Sequence, residues 1–182
     1  GGAARQWTAA KASANNASVV GIDGLTLVAS DVSVAINRAA SDSSVADFAG
    51  SNKLTIQTGT AGAASSIDLD MAASLGALTQ ISAAVDIDVF GSLLAHGTIT
   101  LQKSSGTVSV GGSSISAGEL LIGANNLNMF VGVGGAWSAG TSAYTGTGVN
   151  VTGLKLGLAV FKETGGAARQ WTAAKASANN AS

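Results

Sequence analysis

The sequence predicts an all-β protein, built as an elongated β-solenoid-like tandem-repeat fibre, with a string of β-sandwiches as the alternative. Three observations carry this. The eighteen residues GGAARQWTAAKASANNAS, Gly1 to Ser18, return letter for letter at Gly165 to Ser182. Self-similarity at a fixed offset is the signature of repeat architectures, so 1–164 reads as one complete unit and 165–182 as the start of the next identical one. Apolar residues then occupy every second position through most of the chain, the pattern of half-buried strands. Helical periodicity is nearly absent.

Composition fits thin layers of small side chains. Of the residues, 46% are hydrophobic but only 4% are aromatic and 10% charged, against about a quarter charged in an ordinary globular domain. Nine basic and ten acidic residues leave a net charge of −1; without a basic patch, neither nucleic acid nor anionic lipid is drawn electrostatically. There is no cysteine for a disulfide or thiolate metal cluster, and no proline, so turning falls to Gly, Asn, Asp and Ser. No apolar run reaches the eighteen or more residues that span a bilayer, and the start shows no charged segment followed by an apolar one. A targeting signal would lie outside this window.

Along the chain, the Ala-rich opening admits a helix, against which the Ser and Asn of its second half argue. After it, "LTLVA", "VSVAI", "KLTIQT", "SIDLDM", "AVDIDVF", "GTITLQ", "TVSV", "LNMFVGV", "VNV" and "LKLGLAVF" alternate as strands. Clusters such as "ASD", "KSSG", "VGGSS" and "GANN" supply turn chemistry between them. The clearest hairpin expected is Thr98 to Val110, turning at "KSSG". Three thirteen-residue segments align without gaps: Leu25 to Asn37, Leu120 to Gly132 and Val149 to Phe161. Their apolar residues fall at positions 1, 3, 8, 10 and 12, with Ala, Ala and Gly at position 5. A move from odd to even positions changes the face, which requires a bulge or corner near the small residue.

The stretch "RQWTAAKASANNASVVGIDGLTLVASDVSVAIN", Arg5 to Asn37, followed much later by "GLKLGLAVFKET", resembles the tandem β-strand repeats of giant bacterial secreted or cell-surface proteins of adhesin-like kind. "GTITLQKSSGTVSV" and "ELLIGANNLNMFVGV" look like the middle of the same unit. The resemblance implies an extracellular or cell-surface location. Members of that family often follow the "N-x-F-x-G-V" stretch with an Asp-rich, calcium-holding loop. Here Gly134 to Gly148 has no carboxylate, and no calcium site carries over to it.

Candidate chemistry is sparse. His96 is the only histidine; a Ser/His/Asp triad would need it, and its place directly before Gly97 reads as a turn or strand edge. Asp68 and Asp70, with Asp86 and Asp88, stand on the wet faces of their strands. If those strands were neighbours the like charges would repel, and calcium bridging is the sharper reading of them. Solvated edge charges on separated strands are the plainer one. Trp137 and Tyr144, in the Gly-rich 134–148 loop, are the candidate contacts for a ligand or a neighbouring fibre, whereas Trp7, which recurs as Trp171, is expected to pack at a seam between units. The glycines of "GVGGAWSAG" lack the G-K-[ST] of a phosphate loop. The sequons at Asn16 and Asn150 are short enough for coincidence.

The function these readings imply is structural and not enzymatic: the repeat unit of a long extracellular or cell-surface fibre, its partners being copies of the same repeat joined head to tail, with lateral bundling of fibres a further contact. An adhesin stalk that touches its ligand through the 134–148 loop is the alternative. Only two glycines separate "LAVFKET" from the next "AARQW", too few for units to swing independently.

Overall fold

A computed structural model describes residues 4–19 and 21–182; Gly1 to Ala3 of the repeated opening, and Val20, lie outside the described residues. The chain is all-β. Its strands are β1 (Thr8–Val19), β2 (Leu25–Arg38), β3 (Leu54–Gln57), β4 (Ser66–Leu69), β5 (Leu78–Val89), β6 (Leu93–Val110), β7 (Ser113–Ser138), β8 (Ala143–Glu163), β9 (Gln170–Ser177) and β10 (Asn180–Ala181). A large antiparallel sheet runs in the order β1-β2-β5-β6-β7-β8, with β9 and β10 both against the far side of β8, and β3 pairs β4 in a separate ribbon. The described residues form an open meander and no closed solenoid. No helix among them is long and apolar enough to cross a membrane.

Alternation decides β2 to β8, even where turn residues interrupt it, and pairing decides the rest. The opening is strand β1, not helix, held by β2 from Thr8↔Arg38 to Val19↔Leu27. The hairpin expected at "KSSG" is not there: β6 continues through Lys103 to Gly106, opposite Leu120 to Ala117 of β7. Its period-two pattern survives because Ser104, 6% exposed, takes an inward position and its hydroxyl donates to Glu119 Oε2 at 3.1 Å. The turn falls at Gly111 and Gly112, φ +57° and +82°, inside "VGGSS", with Val110 opposite Ser113; two left-handed central residues suit a tight hairpin. The expected 134–148 loop is likewise the end of a hairpin, in which Trp137 and Tyr144 are cross-strand partners.

The expected change of face is present as a line of irregularities crossing the sheet. β2 slips register between Ser30 and Ser33, with Asp31 at φ +51°. β6 and β7 slip at Gly97 and between Ala124 and Leu127, with Asn126 at φ +50°. On β8 the line reaches Gly153, φ +62°, whose N–H donates to Asn128 Oδ1 at 3.0 Å. In the first two segments the left-handed residue sits two positions beyond the small one; in the third it is the small one. A left-handed residue re-aims the strand, and Gly or Asn takes that conformation at least cost.

Residues 39–77 leave the sheet between β2 and β5 and lie on one face of it as an insertion carrying β3 and β4. Leu69 and Met71 of the insertion pack with Ala35 and Leu78 of the sheet, flanked by Ala9 and Phe48. Asn37, 1% exposed, donates from Nδ2 to Ala46 O at 2.8 Å, fixing the departure of the insertion. Lys11 Nζ reaches Asp70 at 2.8 Å. A second core cluster of Leu94, Phe130 and Tyr144, joined by Trp137, lies under the tip of the β7–β8 hairpin.

Candidate functional site

The tip of the β7–β8 hairpin builds one candidate site. Gly134, φ +69°, and Gly146, φ +138°, let the tip fold over the sheet, and Gly135 is needed there. A Cβ on Gly135 would come 2.2 Å from Leu94 Cδ1 and 2.6 Å from Phe130 Cδ1. The curl sets Trp137 on His96, ring centroids 4.3 Å apart, and beside Tyr144 edge-on at 5.0 Å. His96 is inside β6, not at a turn, and stands opposite Asp86, with its Nδ1 against Asp86 Oδ1. Asp88 Oδ1 accepts from the Gly91 N–H at 2.7 Å.

An open pocket of about 270 Å³ is bounded by Asp86, Asp88, Leu94, Gly135, Trp137 and Tyr144, among others. Two pairs of residues singled out from the sequence, Asp86/Asp88 and Trp137/Tyr144, therefore meet in one place with His96. Tyr144 is only 7% exposed, and burial, with Asp86 and Asp88 nearby, pushes its hydroxyl up to about 12. Tyr144, Trp137 and the two aspartates all line the pocket. An aromatic face beside carboxylates suits a ligand that stacks and donates hydrogen bonds.

Asp68 and Asp70 are elsewhere. Asp68, on β4, takes Lys53 Nζ at 2.9 Å and the Thr55 hydroxyl at 2.7 Å, which hold it below the usual carboxylate range, the hydroxyl most. Asp70 takes Lys11. The two acidic pairs thus lie apart, Asp68 on the β3–β4 ribbon with Asp70 just beyond its end, both with lysine counter-ions, and Asp86 and Asp88 on β5 of the main sheet. Among the described residues no group of three or more His, Asp or Glu side chains is placed to hold a metal ion.

No protein family model, curated protein or solved structure matches this chain.

The second candidate is the place where the repeated segment returns. β9 and β10 repeat most of β1, and they pair β8 in the same register on either side of an interruption at Ala178 and Asn179, Lys162↔Gln170 to Lys155↔Ser177 and then Thr152↔Asn180. Successive cross-strand partners Lys11, Ala35, Gln80, Gln102, Leu121, Ala159 and Ala173 share one face. Ala173 is the counterpart of Ala9, so both occurrences present the same side chains to that face. Strand direction alternates along the sheet, so β1 runs parallel to β9. β1 leans on β2 with one edge and β9 on β8 with the other. Here Arg169 holds Glu163 through Nε at 2.9 Å and Nη2 at 3.0 Å, drawing the Glu163 carboxyl below its ordinary range. Neither Glu163 nor Arg169 stood out in the sequence; only the repetition of Arg5 could have signalled the pair.

Proposed function

We propose that this chain is a structural protein, the repeat unit of a long extracellular or cell-surface fibre in which 164-residue copies follow head to tail and share one antiparallel sheet. The observation that carries the reading is edge complementarity. The repeated segment pairs on its left with β8 and on its right with β2, so a copy followed by another continues β8, β1, β2 without a gap. Each copy contributes six main-sheet strands, which at about 4.8 Å per strand advance the ribbon about 29 Å per copy. The accumulated right-handed twist winds it, giving a solenoid-like outline from an open meander. A sheet continued in this way leaves edges only at its ends, where unpaired strands recruit other chains.

The role in this reading is mechanical: reach, sheathing or holding cells, with no catalysis. The likeness of Arg5 to Asn37 to bacterial surface repeats supports the location. Electron microscopy of a chain of many copies tests it. A continuous rod with a rise near 29 Å per copy is expected; separated beads would replace it with a string of sandwiches.

A second reading, an adhesin stalk, is favoured by the meeting of Asp86, Asp88, His96 and Trp137 at the hairpin tip. Replacing 134–148 with a plain turn would abolish attachment to a surface; unchanged attachment would remove this reading and leave the fibre.

A further inference from the structure

We propose that the arginine of the repeated segment clamps two copies together: as Arg169 it holds Glu163 of the copy before through Nε and Nη2, and at the same time Asp42 of the copy after through Nη1. The inference rests on the fibre reading and names the contact that locks its joint. The same residue is seen twice in this chain, each time with half of its surroundings. As Arg5 it donates from Nη1 to Asp42 Oδ2 at 3.0 Å. As Arg169 it donates from Nε and Nη2 to Glu163 at 2.9 and 3.0 Å. The two sets use different nitrogens, and the rigid five-donor fork of a guanidinium can serve both at once. In both places the guanidinium lies 5.3 Å above the tryptophan two residues on, Trp7 or Trp171, so its placement relative to the strand is retained. Each arginine is about half exposed, 53% and 54%, with room for a second carboxylate.

The insertion accompanies the clamp. Over β1 and the residues just before it the insertion is fastened by three contacts: Asp42 to Arg5, Ser44 Oγ accepting from Trp7 Nε1 at 3.2 Å, and Asp70 to Lys11. Over β9 the same face is an apolar trough of about 470 Å³ that runs back across β6 to β8, with Lys175, the counterpart of Lys11, on its flank. The occupant of that flank is the 39–77 insertion of the following copy, its Asp70 meeting Lys175 as Asp70 meets Lys11 here. The joint is then two layers deep, paired strands below and an insertion across them.

The test uses a chain of two consecutive copies beside the 182-residue chain, with carboxyl titrations followed by NMR and exchange of the β9 amides measured in the same samples. In the two-copy chain, Arg169→Gln is expected to raise the titration midpoints of both Glu163 in the first copy and Asp42 in the second; in the 182-residue chain it raises Glu163 and leaves Asp42 in place. If only Glu163 moves while the β9 amides are protected on both edges, the clamp is wrong and the continuous sheet stands. If alternate β9 amides still exchange freely, the copies do not share a sheet, and the fibre reading falls together with the clamp. Methyl signals of Leu121 and Ala159 that shift only with protein concentration would mean that a neighbouring fibre fills the trough, which overturns the insertion as its occupant.

Discussion

The side chain of Asn179 lies on Gly153: a Cβ on Gly153 would come 2.2 Å from Asn179 Nδ2, and the Asn179 backbone N–H donates to Thr152 O at 2.9 Å. Asn179 is the second occurrence of Asn15, so the line of bulges that crosses the sheet reaches the repeated segment at the position where it also meets Asp31 of β2. Gly153→Ala puts a side chain at φ +62° and displaces that asparagine. The left-handed backbone alone costs about 1–2 kcal/mol. Chemical denaturation should show that loss, and hydrogen exchange should accelerate first at Asn180 and Ser182, whose N–H groups face β8, before the centre of β8.

Gly97 and Gly123 form a matched pair of tests on neighbouring strands. A Cβ at Gly97 meets Leu127 Cα at 2.6 Å and Asn126 O at 2.8 Å, both backbone, whereas one at Gly123 meets nothing within 4 Å. Gly97→Ala must therefore part β6 from β7 where they bulge, at about 1–3 kcal/mol in the manner of overpacking. Gly123→Ala should stay within about 0.5 kcal/mol of the parent, as surface changes do. Equal effects would mean that the close approach at Gly97 is absent.

Phe130 is 1% exposed and anchors the hairpin tip between Leu94 and Tyr144. Phe130→Ala should cost about 3–5 kcal/mol. Because Gly135 and Gly146 both lie against its ring, the tip should lift, and Trp137 fluorescence should shift to the red before global unfolding. A large loss of stability with unchanged Trp137 emission would separate the tip from the core.

Stability should fall at both ends of the pH scale for identifiable reasons. Asp42 is drawn from 3.8 to about 2, chiefly by the Ser44 hydroxyl and then by Arg5, and Asp47, Asp68 and Glu163 are also held low. Groups with depressed folded values contribute stability that is present above about 4 and lost as pH falls toward 2. Tyr144 has the opposite sign: raised from 10 to about 12, it contributes stability complete below pH 10 and lost as pH rises through 12. Denaturation midpoints measured across pH should decline over both ranges; Tyr144→Phe should lessen the alkaline decline, to which Lys53, raised by its hydrogen bond to Asp68, also contributes, and should leave the acid decline unchanged.

Period-two alternation made β2 to β8 legible, because one-sided burial writes itself directly into the order of residues, whereas the exposed, Ala-rich β1 and its repeats β9 and β10 carry no such pattern and are strands by pairing. The odd-to-even shift in the three thirteen-residue segments likewise exposed the line of bulges. The hairpin at "KSSG" misled because Ser104 and Gly106 are turn residues by type but inward ones by position, and only the partner strand reveals that. His96 and Asp86 are ten residues apart and meet because β5 and β6 pair in that register; spacing carries no trace of it. The same holds for Arg169 and Glu163, whose meaning comes from seeing one segment in two surroundings.

The measurement that tests the shared sheet most directly is amide hydrogen exchange along Gln170 to Ser177, compared between the 182-residue chain and a chain of two consecutive copies. In the shorter chain, alternate N–H groups of β9 face outward from the sheet and should exchange at nearly unprotected rates, while those directed at β8 are slow. In the longer chain a shared sheet requires both sets to be slow, since β2 of the second copy takes the outer edge. Alternating protection that persists in the longer chain would contradict it, and would mean that neighbouring copies fold as separate sheets.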